Sequence, residues 1–233
     1  MQFIEKNSFN VRSAIYHLKK DGAGLEFLLF PMIHVGSQQF YDEVGRRLMV
    51  CDSILAEGVS SKRASLLTLS YRIVKRIKRM DLVTQKDGLN LAGLRDRIVN
   101  ADMSGRAFDE RWSSLPLLLR VQLFLIIPAY VIYLLLVGTR ETLAEEIALD
   151  DLPSSNEVLF ADDSLASLDA LIIDERDRSL ITRIKELHDC EGMRAQVVGV
   201  VYGARHMRNV MSFLQWNLKY KVSIAEWVKV FDL

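Results

Sequence analysis

Residues 115–138, LPLLLRVQLFLIIPAYVIYLLLVG, form an apolar run in the middle of a 233-residue chain, and where that run goes limits what the rest can fold into. A helix that spans a bilayer needs about 20 apolar residues, so by length the run qualifies. Two features argue against a simple span. Arg120 and Gln122 are polar, and an arginine at a helix centre costs ~2.5–3.5 kcal/mol on insertion scales, although near one end it can snorkel. Pro128 is expected to break or kink the run into two pieces too short to span alone.

Taken whole, the chain reads as a globular domain. Half of its residues are apolar, which excludes disorder. Its 30 basic residues balance 30 acidic ones, which argues against a dedicated nucleic-acid binder. Cys51 and Cys190 have no CxxC spacing and read as ordinary buried or half-buried thiols of a reducing compartment. No secretory signal is visible in MQFIEKNSFNVRSAIYHLKK, so the expected location is cytoplasmic, with membrane association open through 115–138.

Residues 11–20 and 25–35, separated by Asp21-Gly22-Ala23-Gly24, read as a β-hairpin. A helix is expected from Gln38, with Phe40, Val44 and Leu48 at helical spacing, and then a strand over Ser53–Val59. Ser65 to Met80 predicts a helix with an apolar stripe and a basic face, a solvated surface or a lipid-facing one. Helical stretches are expected around 89–99, 105–113 and 165–188, with a polar acidic segment over 141–163. Residues 195–202 read as an apolar strand, followed by His206, a helix, and a strand from Ser223.

This last order repeats the first half: strand, His34, helix, then Ser53-Ile54-Leu55-Ala56-Glu57. Its counterpart is Ser223-Ile224-Ala225-Glu226, which raises an internal duplication. The fold class expected is α+β, one domain over 1–233, with a mixed central sheet, helices around it and an apolar helical insertion at about 115–138.

His34, Glu57 and His206 each fall at the carboxyl end of an expected strand, where open α/β sheets bind ligands. Imidazoles with a carboxylate suit a divalent transition metal (zinc, manganese or cobalt), which can polarise a carbonyl or activate water. A histidine closing a strand is also an ordinary half-buried residue bonded to backbone, and no HExxH is present. Glu175, in Asp174-Glu175-Arg176-Asp177-Arg178, stands at a helix start, where a charge run is usually a solvated first turn. Glu226 is expected to be structural, paired with an arginine or facing solvent.

Phe30-Pro31-Met32-Ile33-His34-Val35-Gly36, Ala56-Glu57-Gly58, Glu175-Arg176-Asp177 and Gly203-Ala204-Arg205-His206 together resemble the TraB/PrgY/GumN family. That family is related to the Tiki metalloproteases and, remotely, to erythromycin-esterase and ChaN-like proteins. Leu82–Gln85 and Ala101–Ser104 fit the same resemblance, which runs from about residue 25 to the end. It implies that His34, Glu57, Glu175 and His206 line one metal-dependent hydrolytic site acting on a peptide or small molecule. Glu57, Glu175 and Arg176 would carry the chemistry, with either glutamate as general base. Arg176 and Asp102 would orient it, with Gly203 beside them, and Arg205 would contact an anion. Pro31 stands where the family's first motif has glycine, so the turn presenting His34 is expected to differ.

His34 and Glu57 precede the apolar run, whereas Glu175 and His206 follow it. A shared site therefore predicts a non-spanning element: a buried helical hairpin, a homodimer interface or a lipid-docking surface. The competing class is a non-catalytic binding or signalling-control protein that sequesters a peptide, metal or tetrapyrrole.

Overall fold

The hairpin forms as expected from β2 (Asn10–Lys19) and β3 (Leu25–Met32), with Gly22 taking the positive φ of its turn, and a further strand that was not expected, β1 (Ile4–Lys6), pairs antiparallel with β2. The structure is a computed structural model and describes residues 1–58, 77, 80–147, 173–191 and 193–233. After β3 come β4 (Val35–Gly36), α1 (Gln38–Leu48), β5 (Ser53–Ala56), β6 (Val83–Thr84) and a short helix α2 (Gln85–Gly88). A 3₁₀ turn (Ala92–Arg97) leads to β7 (Ile98–Asn100), α3 (Gly105–Ser114), α4 (Leu117–Val137) and α5 (Arg140–Ile147). The chain then continues with α6 (Glu175–Glu191), β8 (Gln196–Gly203), a 3₁₀ turn (Ala204–His206), α7 (Met207–Ser212), a π turn (Phe213–Asn217) and β9 (Lys221–Asp232).

The main sheet is mixed, so the α+β class holds. β3, β8, β5 and β7 are parallel neighbours in that order, while β2 and β9 run antiparallel to each other at the other side. β9 pairs the whole length of β2, and β1 and β3 divide the remaining edge of β2 between them. β4 and β6 form a separate two-stranded pair.

Both faces of the sheet are covered. Phe30, Met32, Ile54 and Val201 pack with Phe40, Val44 and Leu48 of α1 and with Leu134 of α4. Phe27, Leu29, Leu55, Val198 and Val200 pack on the other face with Leu180 and Ile184 of α6 and with Val210 and Leu214. Burial on both faces is why the parallel strands read as continuous apolar runs, not as alternating ones. Ser37 caps α1 by accepting from the Phe40 N–H, and Arg46 and Arg47 in its last turn suit the helix dipole.

Several expectations need correction. Residues 89–99 do not form one helix: the 3₁₀ turn gives way at Ile98 to β7, whose apolar residues extend the sheet beside β5. Pro128 does not divide the apolar run, which forms one helix through it. Leu119 anchors the first half of α4 beside Phe108 and Trp112, and Leu134 anchors the second in the main core, so both flanks of the proline are held. The run is therefore not a buried hairpin. Pro31 lies inside β3, beyond the last β2–β3 pair (Tyr16–Leu29), and its carbonyl accepts from the Ser13 hydroxyl. The basic helix expected over 65–80 lies, apart from Ile77 and Met80, outside the described residues, as do residues 148–172.

Cys51 is buried under α1, whereas Cys190 is exposed and not half-buried. Burial pushes the Cys51 thiol up to about 12, with Asp52 adding to the shift. Brief alkylation of the folded protein, read by peptide mass spectrometry, should modify Cys190 and leave Cys51 free until denaturant is added.

Candidate active site at the carboxyl ends of the parallel strands

Because β3, β8, β5 and β7 run in one direction, the segments that follow them emerge at one edge of the sheet. His34 follows β3, Glu57 follows β5, Asp102 follows β7, and His206 closes the 3₁₀ turn after β8. The start of α6 adds Arg176 and Asp177 to the same edge, through contacts with Glu57, Asp102 and His206.

Arg176 is the hub. Its Nη2 donates to Glu57 Oε1 (2.5 Å) and to Asp102 Oδ2 (2.7 Å), and its Nε donates to Asp102 Oδ1 (3.0 Å). The Gly203 N–H donates to Glu57 Oε2 (2.8 Å), so both oxygens of that carboxylate are engaged. A Cβ at Gly203 would lie 3.4 Å from both Glu57 Oε2 and His206 Cδ2, so the carboxylate and the imidazole both border this glycine. Asp102 also accepts from the Gly58 and Met103 N–H groups, and Asn100 donates to the Gly58 carbonyl, tying the ends of β5 and β7 together.

His206 is buried, and its Nδ1 lies 2.6 Å from Asp177 Oδ1. Asn209 donates to the other oxygen of Asp177. The Tyr202 ring stands edge-on to His206 at 5.5 Å, and its buried hydroxyl has no hydrogen-bond partner among the described residues.

Burial alone would raise the pKa of Glu57. The Arg176 guanidinium, and after it the His34 and His206 imidazoles, outweigh burial and hold the carboxyl down at about 2. Both histidines thus act on this one carboxylate. Arg176 is pushed up by Asp102 and Glu57 against the opposing effect of burial. Burial raises the Tyr202 phenol, and Asp102 and Glu57 raise it further.

Glu175 stands outside this network. It pairs with Arg111 (2.8 Å) and Arg178 (3.4 Å) and lines a cavity of about 410 Å³ with Asn100, Asp102, Thr182 and Arg183. Arg205 is exposed beside His206. Glu226 lies mid-strand, half exposed, and pairs with Arg47 of α1, in accord with the structural role expected for it. Glu57 instead directly follows the end of its strand, so the two halves of the sequence repeat place their glutamates differently. Among the described residues no three His, Cys, Asp or Glu side chains stand grouped as a metal cage.

Asp177, Tyr202 and Asn209 escaped the sequence reading. The charge run Asp174–Arg178 looks solvated, yet Asp177 precedes Leu180 and Ile184 by three and seven residues and so shares their buried stripe. That spacing was the available signal.

Compared with family models, curated proteins and solved structures, the chain gives no match.

Removing the hub should be costly. Arg176→Met leaves Glu57 and Asp102 facing each other unpaired, so urea denaturation should show a loss of about 3–5 kcal/mol. Adding Asp102→Asn to that variant should recover part of the loss, and full additivity of the two changes would argue against direct coupling.

Proposed function

We propose that this chain is a metal-dependent hydrolase of the peptidase or esterase kind, with its site at the edge formed by His34, Glu57 and His206. The observation that carries the reading is the charge balance. Two buried carboxylates, Glu57 and Asp102, share the Arg176 guanidinium, and a third, Asp177, pairs with the His206 ring. Buried charge needs compensation, and a divalent cation among carboxylates and imidazoles supplies it.

The donor types suit such an ion, although binding would have to draw them closer together than they stand here. A metal-ligating histidine commonly has a carboxylate on its other ring nitrogen, and Asp177 holds Nδ1 of His206 in that way, leaving Nε2 for the ion. His34, Glu57 and His206 would hold the metal. Glu175 would have to leave Arg111 to join them. Bound there, the metal would polarise a carbonyl or activate water.

The chain's own groups have separate tasks. Arg176 keeps Glu57 ionised, which suits that carboxylate to hold a cation and makes it a poor proton acceptor at neutral pH. Asp102 fixes the guanidinium by accepting from both Nε and Nη2. Asp177 and Asn209 orient His206. The resemblance to the TraB/PrgY/GumN family supports His34, Glu57 and His206 as ligands and Arg176 and Asp102 as orienting groups, and adds Glu175 to the ligands.

A second reading, a non-catalytic binding protein, is favoured by one observation: both oxygens of Glu57 are already satisfied within the protein. Metal analysis of protein purified without chelators separates the two. The hydrolase reading expects about one transition metal per chain, lost in His206→Ala and reduced in Glu57→Gln. Protein that stays metal-free under zinc, manganese and cobalt supplementation would favour the binding protein. Glu226→Gln removes only an exposed ion pair and should leave metal content and melting temperature nearly unchanged.

A further inference from the structure

The 21-residue helix α4 holds an 18-residue stretch of mean hydropathy 2.1 and is long enough to cross a bilayer, yet it lies against the domain. Its buried residues Leu119, Val131 and Leu134 form one narrow stripe, the first packed on α3 and the last in the main core. Outside that stripe the helix is exposed and almost wholly apolar. Monomeric soluble proteins rarely expose an apolar patch above ~600 Å², and the outer face of α4 amounts to roughly 1,000 Å².

Two observations identify what covers it. The first is the angular spread of the exposed residues. Phe124-Leu125-Ile126 are 56%, 68% and 59% exposed, and Leu135-Leu136-Val137 are 44%, 71% and 53% exposed. Successive residues of an α-helix point about 100° apart, so each triplet sweeps ~200° around the axis. A partner helix or a second copy covers a stripe of residues three and four apart, not three in succession. A fluid apolar medium covers them all.

The second observation is the strand order. β3 and β5 precede α4 in the chain and β8 follows it, yet β8 is hydrogen-bonded between them. One crossing of a bilayer would put those strands on opposite sides. No second run of about 20 apolar residues lies between Val137 and Gln196 to bring the chain back.

We propose that α4 is an in-plane membrane anchor, seated in the headgroup–acyl boundary of a bilayer with the domain and its site on the aqueous side. Its outer face carries Gln122 as the single strongly polar side chain, so attachment depends on apolar burial and not on anionic lipid. The anchor is independent of the chemistry proposed for the site.

Flotation of the full chain with phosphatidylcholine vesicles tests this. The protein should float at physiological salt and still float at about 1 M salt, where the Debye length is only ~3 Å. Leu125→Glu with Leu136→Glu, both on the exposed face, should lower the bound fraction by roughly tenfold or more while far-UV circular dichroism and metal content stay unchanged. A membrane-impermeant maleimide added outside the vesicles should label both Cys190 and the cysteine of Met49→Cys, which lie on either side of α4 in sequence and are exposed. Failure to float overturns the proposal. A soluble dimer dissociated by the same double variant would assign the face to a second copy. Labelling of only one of the two cysteines would show a span.

Discussion

β8 lies between β3 and β5 and is hydrogen-bonded to both, although some 140 residues separate it from β5 along the chain. Most other features follow from that insertion. It joins the amino-terminal hairpin to the remaining parallel strands, so the sheet exists only once the end of the chain has arrived. It buries Val198, Val200 and Tyr202 on one face and Val201 on the other, giving each helical layer a surface to pack on. It also sets the His206 turn beside the end of β5, within reach of Glu57. Pairing across so large a separation carries a high loop-closure cost before any contact repays it, so it should form late in folding.

The edge built in this way concentrates charge where water is scarce. Arg176 reaches two carboxylates at once, and Asp177, one residue on, reaches the buried imidazole. Two consecutive residues on a helix point about 100° apart, so the first turn of α6 can serve both halves of the site only because it lies across the strand ends. Ion pairs this deep are weak evidence for net stability, because desolvation offsets much of the attraction. In the function proposed above, they would serve as preorganised charge and not as a source of stability.

The same strand order governs the outside of the molecule. With β8 paired between β3 and β5, both halves of the chain would stay on one side of a bilayer in the seating proposed, and α4 lies along the domain with most of its circumference uncovered. β9 meets solvent over much of its length, and there Glu226 pairs with Arg47 of α1. A carboxylate among β-branched residues is tolerated at this position because half of it remains in water.

Much of the fold was legible in local sequence. Apolar runs bounded by glycine and polar clusters marked β3, β5 and β8, since parallel strands buried on both faces need uninterrupted apolar residues, and the turn at Asp21–Gly24 marked β2 as the partner of β3. The strand-end positions of His34, Glu57 and His206 followed from those boundaries. Other features had no local mark. β7 is three residues long and reads as the tail of a turn, and only its pairing with β5 makes it a strand. Asp177 looked like one acid in a charged first turn until the partner at His206 gave it a reason to be buried. Glu175, which local sequence could not separate from its neighbours, faces Arg111 because of where α3 packs. Local sequence determined which segments could be buried and which residues could carry chemistry, because hydrophobic periodicity and backbone preference act over a few residues. Tertiary structure alone decided which charges meet, because Arg176 and Glu57 are adjacent only through the arrangement of strands that the chain itself keeps far apart.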